Sequence, residues 1–187
     1  ELAELIEHPA FSAFSCLRDD QIIFEASAPD FSTTQPHSIQ SVTKLHIHLI
    51  IGQLLEQGLL SLDARVSEYL PNIGSGYKEA TLQALLDMAV TNDFTEDYAD
   101  PNSDCYSEEI ALGWRLPQKG QDEITLAEFA ASITGFRADK GIATADYKSS
   151  NTDVLTLIAA AVSPVPLPAM IERIADAVGY EGAFHIS

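Results

Sequence analysis

The spacing of apolar positions starts as strand and continues as helix. Residues 1–7 (ELAELIE) form a short amphipathic stretch that predicts a helix ending before Pro9. Residues 11–18 (FSAFSCLR) alternate apolar with small or polar side chains, the period of a strand. Asp19-Asp20 is a turn signal and residues 21–26 (QIIFEA) predict a second strand, so the two should pair as an antiparallel hairpin. Residues 27–37, rich in Ser, Thr and Pro, read as loop. The period then lengthens. Residues 41–57 (SVTKLHIHLIIGQLLEQ) make the strongest helix, apolar nearly all round through Val42, Leu45, Leu49 and Leu55 and therefore expected to be buried. Gly58 stands where a glycine ends a helix. Residues 62–63 and 66–70 predict a short connector stopped by Pro71, and residues 81–88 a helix with Thr81 as N-cap. Residues 92–104 are acidic and turn-rich. Further helices are expected at 108–116, 126–133, 151–162 and 169–178, with Pro164, Pro166 and Pro168 separating the last two. The pattern is a lopsided α+β one, because a lone hairpin is too little sheet to be stable without more strands.

Composition adds limits. With 187 residues and 46% apolar side chains the chain can bury one sizeable core. Ten basic residues face 28 acidic ones, a formal net charge of -18. Phosphates would be repelled, which argues against nucleic acid or an anionic membrane surface as partner. Solubility is the plain consequence of that charge; a cationic substrate is the sharper one. The longest apolar stretch, residues 45–55, is broken by His46, His48, Gly52 and Gln53 and is too short to span a bilayer. No basic segment followed by an apolar one opens the chain as a signal peptide would. Nothing in the spacing of Cys16 and Cys105 requires a disulfide, so a cytoplasmic setting is expected, or a periplasmic one if a signal peptide has been removed.

The candidate chemistry begins at residues 37–44, HSIQSVTK, which hold S-x-x-K at the head of the apolar helix. Three residues are nearly one helical turn, so Ser41 and Lys44 share a face. A serine hydroxyl needs a base to take its proton, and a lysine serves when it is neutral, which burial favours. The helix N-terminus also offers N–H groups to an oxyanion. Alone, this spacing is better explained by an N-cap serine and a solvated lysine. A second segment changes the balance: residues 146–155, DYKSSNTDVL, place Tyr147 in a polar stretch that opens a helix, 106 positions after Ser41.

Taken with Gly58, LLSLDARVSEYLP (residues 59–71) and TLQALLDMAV (residues 81–90), these segments resemble the serine β-lactamase-like superfamily, which holds class C β-lactamases, D,D-peptidases and related esterases. EDYADP (residues 96–101) and Y-x-S-x-N-T-D resemble most the 6-aminohexanoate-dimer hydrolase branch. The resemblance implies a β-lactamase/transpeptidase-like α+β fold, an antiparallel sheet flanked by helices plus a helical region. It implies Ser41 as nucleophile, Lys44 as proton acceptor and Tyr147 as the acid/base that serves the leaving group. It also makes Tyr98, in the acidic loop, and Asn151 candidate substrate contacts. As residues, Tyr98 is equally a packing aromatic and Asn151 equally an N-cap.

No cofactor or metal is expected. His46 and His48 lie two apart on a helix and point to different faces, and His8, His37 and His185 are isolated. The expected substrate is a small amide or ester. The alternatives are a carboxylesterase with weak β-lactamase activity and a non-catalytic binding protein that keeps the fold. The expected layout is residues 1–60 as hairpin and nucleophile helix, 61–165 as a mainly helical region and 166–187 as a return towards the sheet. The family's third motif, a Lys- or His-led triad ending in glycine on a later strand, has no match. Its C-terminal strands are therefore expected from a continuation of the chain, a partner chain or a second copy.

Overall fold

The computed structural model describes residues 2–32, 34–136 and 145–181. The expected return towards the sheet lies partly outside the described residues, and His185 lies wholly outside them. The chain divides into two compact units, Glu1–Ile39 with the C-terminal residues from Tyr180, and Gln40–Gly179. By contact residues 40–60 group with the residues that follow them, up to Gly179.

The first unit holds α1 (Leu2–Ile6) and the antiparallel pair β1 (Ala13–Arg18) and β2 (Gln21–Ser27). Arg18 pairs with Gln21 across a two-residue turn in which Asp19 and Asp20 both have positive φ, +52° and +60°. Two such residues match the right-handed twist of the strands, and Asp tolerates this region better than most residues. The register slips between Cys16 and Leu17, so that Cys16 faces Phe24 and Leu17 faces Ile22. No residue of either strand is buried.

The second unit is helical. A 3₁₀ turn, Gln40–Thr43, leads into α2 (Lys44–Glu56). The helix ends in paired bonds, Gly58 N–H to the Leu55 carbonyl and Leu59 N–H to the Leu54 carbonyl, both 3.0 Å, with Gly58 at φ +69°. That closure needs a left-handed residue, which is why glycine stands there. After α3 (Val66–Tyr69), Thr81 caps α4 (Leu82–Leu86) by accepting the Ala84 N–H. α5 (Cys105–Ala111) starts earlier than its apolar period suggests. α6 (Leu126–Ser132) opens on a reciprocal Thr125–Glu128 cap. α7 (Ser149–Val162) and α8 (Leu167–Ala177) follow.

α7 is the hub of this unit. α2, α3, α4 and α6 all pack on it, and its Val154, Leu155, Ile158 and Ala159 are buried. Tyr77 lies in the same core, its hydroxyl donating to Asn151 Oδ1 at 2.9 Å and sharing a hydrogen bond with Ser150 Oγ at 2.8 Å. The loop before it runs against residues 130–134 so closely that a Cβ on Gly76 would meet the Thr134 carbonyl oxygen at 2.7 Å. Contrary to expectation, α2 is not buried all round. Ile50, Ile51 and Leu54 face α7 and α8 with no exposure, while Leu45 and Leu49 stay more than half exposed. Both cysteines are free thiols, Cys105 buried and Cys16 partly so.

Candidate active site

Ser41 lies in the 3₁₀ turn and Lys44 opens the α-helix that continues it. Side chains three apart eclipse in 3₁₀ geometry, whereas in an α-helix they are offset. The tighter turn therefore aligns Ser41 and Lys44, and Lys44 Nζ donates to Ser41 Oγ at 3.0 Å. Gln40, immediately before the serine, has φ +46°. Such a conformation in a non-glycine residue costs about 1–3 kcal/mol and is retained where the surroundings impose it.

Tyr147 comes from the other side, in the two-bond tether between Asp146 and Ser149. The Asp146 N–H donates to the carbonyl of Met88, itself at φ +52°. The Lys148 ammonium bonds Asp146 Oδ2 at 3.0 Å. On the far side Glu96 holds the first residue of α7, accepting the Ser149 N–H and the Ser149 hydroxyl, each at 2.7 Å. A carboxylate at a helix N-terminus is in its favoured place. Pinned on both flanks, Tyr147 donates its hydroxyl to Ser41 Oγ at 2.9 Å. Lys44 Nζ lies 5.5 Å from the centre of its ring. Partial burial pushes the Tyr147 phenol up, but the hydrogen bonds to Ser41 and Lys44 and the Lys44 charge outweigh it, and the net displacement is downward.

The structure thus brings together Ser41, Lys44 and Tyr147. Ser41 is exposed and Lys44 is half-buried, so the lysine is less enclosed than its apolar helix suggested. Tyr98 is also at the surface, its hydroxyl donating to Glu96 Oε1 at 3.0 Å and its carbonyl accepting from the Tyr106 hydroxyl. Its phenol is pushed up, by burial first and then by the charge and hydrogen bond of Glu96. Asn151 is elsewhere. It has no exposure, it lies inside α7 with Lys148 as the N-cap, and its amide bonds Tyr77 and the Met88 sulfur. The N-cap reading of Asn151 gives way to a position inside the helix, because the helix begins two residues earlier than its apolar period indicates.

Residues that local pattern did not single out complete the surroundings. Glu96 opens the EDYADP segment that carries the family resemblance, but its place beside Ser149 was not readable from that segment. The signal for it is the loop's self-bonding: Asp104 Oδ2 accepts the Thr95 N–H and hydroxyl, and Ser103 Oγ donates to the Thr95 carbonyl. Among the described residues, no group of three His, Cys, Asp or Glu side chains is placed to hold a metal ion.

A family model described as Beta-lactamase matches residues 12–181. The chain belongs to the β-lactamase family. It is 32% identical over 159 residues to the 6-aminohexanoate-dimer hydrolase of Paenarthrobacter ureafaciens, an alignment covering 84% of this chain and 40% of that protein. Its fold is similar to that of the "Putative 6-aminohexanoate-dimer hydrolase from Bacillus anthracis", with a TM-score of 0.74 at 23% identity, over 92% of this chain and 46% of the other. A D-stereospecific amidohydrolase from Streptomyces sp. shares the fold with a TM-score of 0.59 at 19% identity, over 83% of this chain and 46% of the other. Within the β-lactamase family the chain sides with the 6-aminohexanoate-dimer hydrolase branch. It spans less than half the length of these relatives.

Proposed function

We propose that this β-lactamase-family chain carries the nucleophile of a serine hydrolase that cleaves an amide or ester bond through an acyl-enzyme on Ser41. The observation that carries the reading is the convergence of Lys44 Nζ and Tyr147 Oη on Ser41 Oγ, at 3.0 and 2.9 Å. In this reading the Lys44 amine accepts the Ser41 proton as Oγ bonds to the substrate carbonyl carbon. The Ser41 N–H supplies one oxyanion donor. Tyr147 then delivers a proton to the leaving nitrogen or oxygen as its bond to the carbonyl carbon breaks, and water releases the acyl group by the reverse proton path. The downward displacement of the Tyr147 phenol, caused by its hydrogen bonds to Ser41 and Lys44 and by the Lys44 charge, favours its acting as an acid. An amide is the substrate class favoured by the relatives' names, a 6-aminohexanoate-dimer hydrolase and a D-stereospecific amidohydrolase. The test is hydrolysis of a linear amide and of a short aryl ester by the wild type and by Ser41→Ala. The reading expects the variant to keep the wild-type melting temperature and to lose at least about a thousand-fold in rate. A folded Ser41→Ala protein with substantial turnover would contradict it.

A further inference from the structure

Within the helical unit, two acids interact with each other. Glu108 of α5 is only 3% exposed. Asp153 of α7 is half-buried as a residue, but its Oδ2 is sealed from solvent. Considered as two carboxylates, Glu108 Oε1 and Asp153 Oδ2 are both acceptors with no donor within reach. Yet the two side chains are within hydrogen-bonding distance of each other. One proton resolves the conflict, since it turns one orphaned acceptor into a donor to the other. Two ionised carboxylates in such a site would repel each other in a poorly solvated place, and that repulsion drives one of them to take up a proton.

The groups around the pair set what remains. Glu96 of the 92–104 loop repels both acids, and Lys44 of α2 attracts both. The Tyr77 and Tyr98 phenols also feel Glu108. Burial is the largest influence on each acid and pushes both up; Glu108, which the hydrogen bond and the charges of Asp153 and Glu96 push further, rises more. Burial therefore favours one proton on the pair as a whole, with Asp153 four residues along α7 from Ser149. We propose that Glu108 and Asp153 hold a single proton between them as a buried acid–carboxylate pair, and that the one negative charge they keep is a positioning charge for Lys44. The second half rests on the reading of Lys44 as the base for Ser41; the first does not.

The test uses two readouts on the purified protein. The infrared carbonyl band of a protonated carboxyl should persist at pH 8, far above the ordinary carboxylate range, and should disappear in Glu108→Gln. Its absence from the wild type would overturn the shared proton. The second readout is the pH dependence of Ser41 acylation by a fluorophosphonate. Glu108→Ala should disturb it, and Glu108→Gln should restore it, because the amide N–H donates to Asp153 as the acid did. The double variant Glu108→Gln/Asp153→Asn keeps the hydrogen bond and removes the charge. It should move the acid limb of the profile down by about one pH unit, or about tenfold in rate at a fixed pH on that limb. A folded double variant with the wild-type profile would show that the pair is structural and positions no charge. Failure of the wild type to label at Ser41 would overturn the second half together with the functional reading, while the infrared band would still decide the first.

Discussion

The hairpin unit and the helical unit are both rich in apolar side chains but bury them to very different extents. In the hairpin no strand residue is buried, and Leu17, Ile22 and Ile23 are 63, 61 and 58% exposed. In the helical unit Ile50, Ile51, Leu54, Leu82, Leu85, Val154, Leu155 and Ile158 have no exposure at all. The difference follows from geometry. A strand pair satisfies half of its backbone hydrogen bonds internally but offers no second layer, so its stability is marginal by itself. A helix satisfies its backbone alone and needs only one apolar face covered, which α7 provides for four neighbours at once. The geometry of the candidate site benefits accordingly. Ser41, Lys44, Tyr147 and Glu96 all sit on the unit with its own core, where packing can hold side chains to a few tenths of an ångström.

Substitutions can break or sharpen this contrast. The largest expected effect is at the site. Lys44→Arg keeps a positive charge beside Ser41 but cannot give up its proton to become a base, so Ser41 acylation should fall by about 10²–10⁴. Near-normal stopped-flow acylation rates would instead make Lys44 a charge that orients and does not accept a proton. Next come the two cores. Ile51→Ala in α2 should cost about 2–5 kcal/mol in urea unfolding, and Ile23→Ala at the hairpin slip no more than about 0.5 kcal/mol. Comparable losses at the two positions would mean that the hairpin carries a hidden core. pH offers a third handle. Glu108 is pushed from the model-compound value of 4.5 to about 10. Its folded form therefore binds a proton that the unfolded chain has lost, and its contribution is complete below pH 4.5 and declines as pH rises towards 10. Melting temperature should fall across that window, and Glu108→Gln should flatten the fall; an equally steep fall in the variant would assign it to other groups. The smallest effect is expected at the turn. Asp20→Gly relieves a side chain held at φ +60° but adds chain entropy to the unfolded state. A net gain of about 0.5 kcal/mol, read as protection of hairpin amides from hydrogen exchange, is expected.

Much of this was legible in the order of residues, and the exceptions share a cause. The hairpin was readable from its alternation and from Asp19-Asp20, α4 from Thr81, and the end of α2 from Gly58, because each is decided within a few residues. The meeting of Ser41 and Lys44 was readable from their spacing, although the 3₁₀ turn that aligns them was not. Tyr147 was readable only through a family resemblance, since its approach to Ser41 depends on anchors at Met88 and Glu96, more than fifty residues away in the chain. The bond from Tyr77 to Asn151 and the meeting of Glu108 with Asp153 are likewise long-range. No local period distinguishes a polar residue that faces solvent from one that faces a buried partner. The same holds for α2, whose nearly uniform apolar surface concealed which side has a neighbour.

The central claim is that Ser41 is an activated nucleophile in the helical unit. Its most direct test is peptide mass spectrometry after exposure of the purified protein to a fluorophosphonate, with Ser41→Ala and Tyr147→Phe in parallel. The account predicts a single phosphonyl adduct on the peptide containing Ser41, none in Ser41→Ala, and slower labelling of the same residue in Tyr147→Phe. A folded wild type whose Ser41 stays unmodified, or which labels only at another serine, would contradict it.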